Sequence, residues 1–424
     1  KQQGYNYSSL QQNLAVFLAA LVSFNVMQGH SAVRLSSNAV KNPFGLREYN
    51  PEQAIWLAAI SQKIEQSLPL EWQEILADHI AFSRDVTQIA PMLFQGELIY
   101  FYRYWQAEHQ IARYLQQAVE TETENANVEE DREILERLFG ATQTDEIDWQ
   151  KVAVATALCK RFCVISGGPG TGKTRTVARL LAALQLKQEV ENKGLLNVAL
   201  VAPTGKAAAR LTESIENALA QMPISDELRA SIPKTAETLH RLLGVRPFTD
   251  SVKYHAYNPL QIDVLVVDET SMIDLPMMAK LVQALKPETR LILLGDQAQL
   301  ASVEAGAVLG EIAQFLTQDY SPAQADYIHA TTGYTVPTSD EHSPLRDAIC
   351  HLTFSRRFRD DSGIKQLAEQ IQQGKGEGSV ATFAEYPQEL HFHHFDEEQD
   401  VKESVRQVVK SAVENYRVYL TQLQ

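Results

Sequence analysis

The chain has 424 residues, a formal net charge of −15 and an apolar fraction of 45%, which suits a globular protein of two or three domains with sizeable cores. Its three cysteines, Cys159, Cys163 and Cys350, exclude a disulfide framework and a four-ligand zinc site, and fit a reducing, cytoplasmic compartment. The acidic balance argues against a free-standing, non-specific nucleic-acid binder, because such affinity comes from basic surface; a local basic groove, or a field supplied by a partner, remains open.

Residues 1–118 read as a mainly helical N-terminal domain, with helices predicted over 10–27, 51–67 and 98–119. The apolar run 14–27 is too short to cross a bilayer, contains Ser23 and Asn25, and has no cationic region before it, so it reads as a buried helix. Tyr100, Phe101, Tyr102, Tyr104 and Trp105 read as core packing rather than as a platform for bases. No catalytic motif falls in 1–118, which marks this part by exclusion as a partner-docking domain. Residues 119–147 read as an acidic linker, since eight carboxylates lie between 120 and 136, a density typical of a solvated face. The chain starts at Lys1 rather than Met, as a piece of a longer protein would.

From residue 148 the signals alternate. Asp148 is the expected N-cap of a helix ending near Cys159. Strands are predicted at 162–166, 197–202, 263–267 and 290–295, with helical periodicity between them. That alternation predicts an α/β fold, a parallel sheet with helices on both faces, over 148–317. Two stretches interrupt it: a polar insertion near 246–260, read as a small hairpin, and a Pro-rich segment, 318–350, read as a loop or subdomain.

The segment Gly167, Gly168, Pro169, Gly170, Thr171, Gly172, Lys173 and Thr174, with Arg175 after it, lies between an apolar strand and a helix. This is the setting of a phosphate-binding P-loop. Glycines let backbone N–H groups converge on one anion, and the helix N-terminus adds its dipole. Lys173 is placed to reach the β- and γ-phosphates of ATP, and the Thr174 hydroxyl to ligate Mg²⁺. The strand Val264, Leu265, Val266, Val267 ends in Asp268 and Glu269, an acidic pair that a parallel sheet delivers to the P-loop edge. Asp268 then holds Mg²⁺, and Glu269 orients and deprotonates the attacking water. Gln299, after the next strand, can sense the γ-phosphate. Pro203, Thr204, Gly205, Lys206 and Arg210 form a second strand–loop–helix suited to a backbone phosphate of single-stranded nucleic acid, and Thr238 and His240 add polar groups nearby.

Taken in order, GGPGTGKT, VAPTGKAAARL, TLHRLLG, VVDETSMID, LLGDQAQLASVEAG and LTFSRRF resemble the motifs of superfamily 1 helicases, whose motor is a RecA-like P-loop NTPase. Within that superfamily (subfamily 1B) the chain resembles the RecD family, the alpha subunit of exonuclease V (RecBCD) complexes. The resemblance implies an ATP-dependent 5′–3′ DNA helicase or translocase, acting with RecB-like and RecC-like subunits on double-strand DNA ends in recombinational repair. It implies single-stranded DNA as a partner and no membrane. It gives Gln150 the adenine, makes Gln299 the coupler of γ-phosphate state to DNA contacts, and makes Arg357 the arginine that stabilises the transferring phosphoryl group. Thr270 and Arg356 stand where Ala and Tyr are expected. Residues 351–424 would be only the start of a second RecA-like domain, so this polypeptide is expected to bind nucleotide, hydrolyse it poorly and not unwind DNA. The rival readings are a free-standing RecD-like or relaxase-type helicase, and a non-motor nucleotide switch.

Overall fold

The computed structural model describes residues 6–36, 40, 44, 69–120, 127–142, 146–246, 249, 251–296, 305, 306, 308–354, 362–392 and 401–423. The chain divides into two units, residues 1–354 and 355–424.

The first unit opens with α1 (Ser9–Met27), started by a capping box in which Ser8 Oγ accepts from the Gln11 amide. This helix is long and apolar enough to cross a membrane by length and composition, longer than the run 14–27 suggests. Its Leu18, Leu21 and Val22 are nonetheless fully buried in the N-terminal core. After β1 (Ala32–Arg34), α2 (Pro69–Ile75) and β2 (Phe82–Ser83) come β3 (Met92–Gln95) and β4 (Leu98–Phe101), which form a hairpin. The four strands make a sheet in the order β1-β4-β3-β2. The N-terminal part is therefore helical with an added sheet, and residues 98–101 are strand rather than helix. Gly96, at φ +59°, permits the two-residue turn, and Leu-Ile-Tyr-Phe suits a pleated surface better than a helix. The aromatic helix α3 (Tyr102–Glu120) starts only after it. The helix predicted over 51–67 lies outside the described residues.

The stretch read as an acidic linker contains α4 (Val128–Phe139), capped by Asn127. Ile134, Leu135 and Leu138 bury one face, Glu129, Glu133 and Glu136 face solvent, and Asp131 points inward with no exposure. Its carboxylate takes the Lys187 ammonium at 2.6 Å and the Tyr327 hydroxyl at 2.9 Å. Composition misleads here because the acids sit at amphipathic spacing, so the helix packs rather than floats.

A six-stranded sheet follows, in the order β10-β5-β9-β8-β6-β7, with every pairing parallel. Its strands are β5 (Phe162–Gly167), β6 (Val198–Ala202), β7 (Glu237–Thr238), β8 (Val264–Val267), β9 (Arg290–Gly295) and β10 (Ile349–Leu352). These strands are near-continuous apolar runs because both faces are covered. Cys163, Ile165, Val264, Val266, Ile292 and Leu294 face one core, with α4, α5 (Trp149–Cys159), α6 (Lys173–Val190), α7 (Gly205–Ala220) and α8 (Asp226–Ser231). Phe162, Val164, Leu265, Val267, Leu291 and Leu293 face the other, with α3, α9 (Leu239–Leu243), α10 (Leu275–Gln283) and α11 (Val308–Ala313). The P-loop helix α6 thus grows out of a strand enclosed between β10 and β9.

The 318–350 segment is not an independent loop. Ser321 and Pro322 start α12 (Pro322–Thr332), Asp347 accepts both the Ser321 amide and its hydroxyl at 2.9 and 2.6 Å, and β10 closes the sheet beside β5. The 246–260 insertion carries one antiparallel bridge, His255 to Asn258, among its described residues, with Tyr257 exposed at its tip. The second unit holds α13 (Gly363–Gln372), α14 (Gly376–Glu385) and α15 (Val401–Leu423), and no strand among its described residues.

Candidate nucleotide-binding site

β5 is buried over its whole length and ends at Gly167 against β10; a Cβ on Gly167 would stand 2.7 Å from Thr171 Oγ1 and 3.0 Å from Leu352 Cβ. The chain then curls through Gly170 and Gly172 at φ +81° and +87°, a region that side chains other than glycine enter at a cost. At Gly172 a Cβ would also overlap the Gln150 amide. The loop is tied internally, with Thr171 Oγ1 donating to Gly168 O at 2.9 Å, and externally, with Gln150 Nε2 donating to Thr171 O at 2.9 Å. Gln150 is set by Asp148, whose carboxylate accepts the Gln150 and Lys151 amides and starts α5. Its Oε1 accepts from Arg179, and that guanidinium lies over the Phe139 ring at 4.4 Å. The first turn of α6 has no side-chain cap, which leaves its N–H groups to serve an anion. Lys173 Nζ reaches across the loop to Gly167 O at 2.5 Å and Gly168 O at 3.3 Å.

The acidic strand end stands opposite. Asp268 continues β8, with its amide donating to Val201 O at 2.9 Å. Its carboxylate accepts the Glu269 amide at 2.9 Å. Burial, then the Glu269 charge, push this carboxyl up to about 6, against the Glu269 N–H and the Lys173 ammonium. Glu269 is held in the left-handed region at φ 50°, which is costly for a non-glycine residue and turns its side chain away from the strand direction. Thr270, where Ala was expected, is fully buried and donates its hydroxyl to Val267 O at 3.1 Å, so the extra oxygen is satisfied. Asp296, at the end of β9, is a third acid at this edge and more deeply buried than Asp268 and Glu269, about 4.0 Å from the Cβ position of Gly168. His351, on β10 beside Ser166, is pushed down by burial and partly held up by Asp296.

A second cluster lies farther along the same edge. Thr204 caps α7, its Oγ1 accepting from Ala207 N at 3.2 Å, and Thr238 caps α9, accepting from Arg241 N at 3.3 Å. Ala202 pairs with Thr238 between β6 and β7, so both caps emerge side by side. Gly205, Lys206, Arg210 and His240 are exposed around them, and Pro203 is half-buried.

A model described as the N-terminal domain of the RecBCD enzyme subunit RecD matches residues 5–100, and one described as an AAA domain matches residues 150–305. The chain is 54% identical to the RecBCD enzyme subunit RecD of Haemophilus influenzae, over 100% of this chain and 66% of that one. It is 28% identical to that of Buchnera aphidicola subsp. Acyrthosiphon pisum over 94% and 64%, and 37% identical to that of Mycolicibacterium smegmatis over 73% and 49%. The chain belongs to the RecD family. It spans less than two thirds of the length of the latter two relatives, and 66% of the first.

In this RecD-family chain the structure brings Lys173, Thr174, Asp268 and Glu269 to one sheet edge, with Gln150 bracing the loop and Arg175 exposed on α6. Gln299 and Arg357 lie outside the described residues. Sequence reading passed over Asp296, although it follows an apolar strand as Asp268 does, and passed over Arg179 and Phe139. Arg179 carries no motif signal, and Phe139 sits in the stretch that its acids disguised.

Proposed function

We propose that the chain is the leading motor part of an ATP-dependent 5′–3′ DNA helicase or translocase subunit of a RecBCD-type exonuclease V. It would work with RecB-like and RecC-like subunits on double-strand DNA ends in recombinational repair, in the cytoplasm. The observation that carries this reading is the convergence of a glycine loop with Lys173, and of Asp268 with Glu269, on one edge of an all-parallel sheet whose next strand ends present Thr204 and Thr238. Phosphates would lie on the loop and on the N-terminus of α6, with Lys173 moving from its loop carbonyls to the β- and γ-oxygens. The donor set at the loop mouth fits Mg²⁺: a hydroxyl on Thr174 and a buried carboxylate on Asp268 whose charge burial disfavours and a dication would restore. When bound, Mg²⁺ neutralises charge on the phosphoryl oxygens. Glu269 would orient and deprotonate water, and Gln299 and Arg357 would respond to the γ-phosphate.

Gln150 would read the adenine. Its amide serves Thr171 O with one N–H and accepts from Arg179 on Oε1, which leaves its second N–H and second lone pair for the adenine edge. The hollow of about 340 Å³ beside Thr174, Arg175 and Arg179 gives the nucleoside room. Thr204, Gly205, Lys206, Arg210, Pro203, Thr238 and His240 would touch the single strand. The N-terminal part is proposed to dock the partners, and residues 355–424 to begin a second RecA-like domain, since 351 and 352, expected with them, belong to β10 of the motor sheet.

The test is the ATPase rate of the full-length protein with and without single-stranded DNA, beside Lys173→Ala. Stimulation by DNA that Lys173→Ala abolishes is expected. Nucleotide binding with no stimulation, alone and with the partner subunits present, would replace the motor by a nucleotide switch.

A further inference from the structure

The seam between α3 and α10 is a furrow made of two adjoining hollows. One, of about 800 Å³, opens beside Arg103, His240 and Lys280. The other, of about 330 Å³, opens beside Arg113, Arg161 and Lys286. Gln110 and Gln283 line both, so the hollows adjoin. Among the described residues none of these five cations, nor the histidine, takes part in an ion pair. Among the described lining residues the one carboxylate, Asp274, is occupied as the cap of α10, accepting from Met277 N at 2.7 Å. In a chain of net charge −15, a row of uncompensated cations marks a place built for an anion.

The row has direction. It begins with His240, two residues after the Thr238 cap at the carboxyl edge of the sheet. It ends where Arg161 leads into β5 and Lys286 precedes β9, at the opposite edge. Arg103 and Arg113 are ten residues apart on α3, about 15 Å along the axis. Tyr104 and Tyr114 are packed into the core on this side, so among the described lining residues no exposed aromatic is present to stack a base.

We propose that this furrow binds the phosphate backbone of single-stranded DNA continuing from the strand-end threonines. The proposal rests on the reading of the chain as a DNA motor and extends its track onto the N-terminal helix α3. A polyphosphate chain matches spaced cations, and Gln106, Gln110 and Gln283 supply amide donors to phosphate oxygens. Contacts of this kind are independent of sequence and sensitive to salt.

The test uses the full-length protein and labelled oligo(dT) of about 8 and about 25 nucleotides, with binding read by anisotropy across a salt series. The variant combines Arg103→Gln, Arg113→Gln and Lys280→Gln. On the long oligonucleotide the slope of log affinity against log salt should fall by about 2, at about 0.7 per lost phosphate contact, and each single substitution by about 0.7. Binding of the short oligonucleotide and of an ATP analogue should stay at the wild-type level. A wild-type slope on the long oligonucleotide, in a preparation where Thr204→Ala with Lys206→Ala weakens both lengths, overturns the furrow and leaves the motor reading intact. If the wild-type protein binds neither length, the motor reading falls and the furrow with it. If the variant keeps its DNA affinity but no longer assembles with its partner subunits, the furrow docks an acidic protein surface and the proposal is wrong.

Discussion

Asp268→Asn should make the protein more stable while removing a function, and the size of the gain can be worked out. The Asp268 carboxyl is pushed from 3.8 up to about 6, first by burial and then by the Glu269 charge. A group that holds its proton more tightly in the folded state stabilises the fold below its unfolded value. That contribution is lost as pH rises through the folded value. A rise of about two units corresponds to about 3 kcal/mol. Asparagine keeps an oxygen for the Glu269 amide, now at 2.9 Å, and is neutral at every pH. The variant is therefore expected to match the wild type near pH 4 and to exceed it by up to about 3 kcal/mol at about pH 8. The assay is urea unfolding followed by tryptophan fluorescence across that pH range, with chelator and without nucleotide. A variant no more stable than wild type at the alkaline end, or a difference that does not grow with pH, refutes the account of this site. On the proposed assignment of Asp268 to Mg²⁺, a proton competes with the metal for the same carboxylate. Mg²⁺-dependent nucleotide affinity should therefore fall about tenfold per pH unit below about 6, and the Asn variant should lack that dependence.

Gly172→Ala faces both a φ of +87° and the Gln150 amide; titration with a fluorescent ATP analogue should find at least a tenfold loss of affinity with the fold retained, and wild-type affinity would contradict the strained-loop account. Asp131→Ala leaves Lys187 buried without its carboxylate and should cost about 3–5 kcal/mol in denaturant unfolding. Replacing both by Asp131→Leu and Lys187→Met should recover most of that loss, and a single variant as stable as wild type would mean the pair is idle. Thr204→Ala should weaken single-strand binding and cost about 1 kcal/mol by removing the α7 cap. Thr204→Ser keeps the cap oxygen and should restore both; restored stability without restored DNA affinity would move the contact away from the hydroxyl.

The parts of the fold legible in the sequence are those whose signal is local. The strands around Val164, Leu200, Val266 and Ile292 fall within a residue or so of prediction, because doubly covered strands must be apolar throughout. The P-loop was equally plain, since Gly170 and Gly172 have no substitute at their backbone angles. Features that depend on distant partners were hidden. Whether 128–139 is linker or core turns on Asp131 meeting Lys187 and Tyr327, from helices far away in the chain. Likewise β10 is a four-residue strand after a Pro-rich stretch, and only its seat beside β5 makes it part of the motor sheet. The five cations of the α3–α10 furrow lie in three separate stretches, 103–113, 161 and 280–286, so no window of sequence collects them.

The placement of Asp131 changes what the acidic stretch does. Helix α6 carries Lys173 in its first turn and Lys187 in its last, about 21 Å apart along the axis at 1.5 Å per residue. The far end is fixed by the buried ion pair to α4, and by Gln185, whose amide exchanges two hydrogen bonds with the Leu196 backbone at 3.0 and 3.1 Å. The near end is joined to α5 through Gln150 and to α4 again through Arg179 stacked on Phe139. A helix held by a buried ion pair at its far end and by part-buried hydrogen bonds at its near end does not tilt cheaply, since a tilt breaks the charge-assisted bonds of Lys187 and Arg179. Movement on nucleotide binding is then left to the groups not held this way: the Lys173 ammonium leaving its loop carbonyls, and the Asp268–Glu269 turn poised at its unfavourable φ. The acids at 128–139 thus brace the nucleotide site through α4, while their solvent-facing members supply much of the local negative charge that set them apart in the sequence.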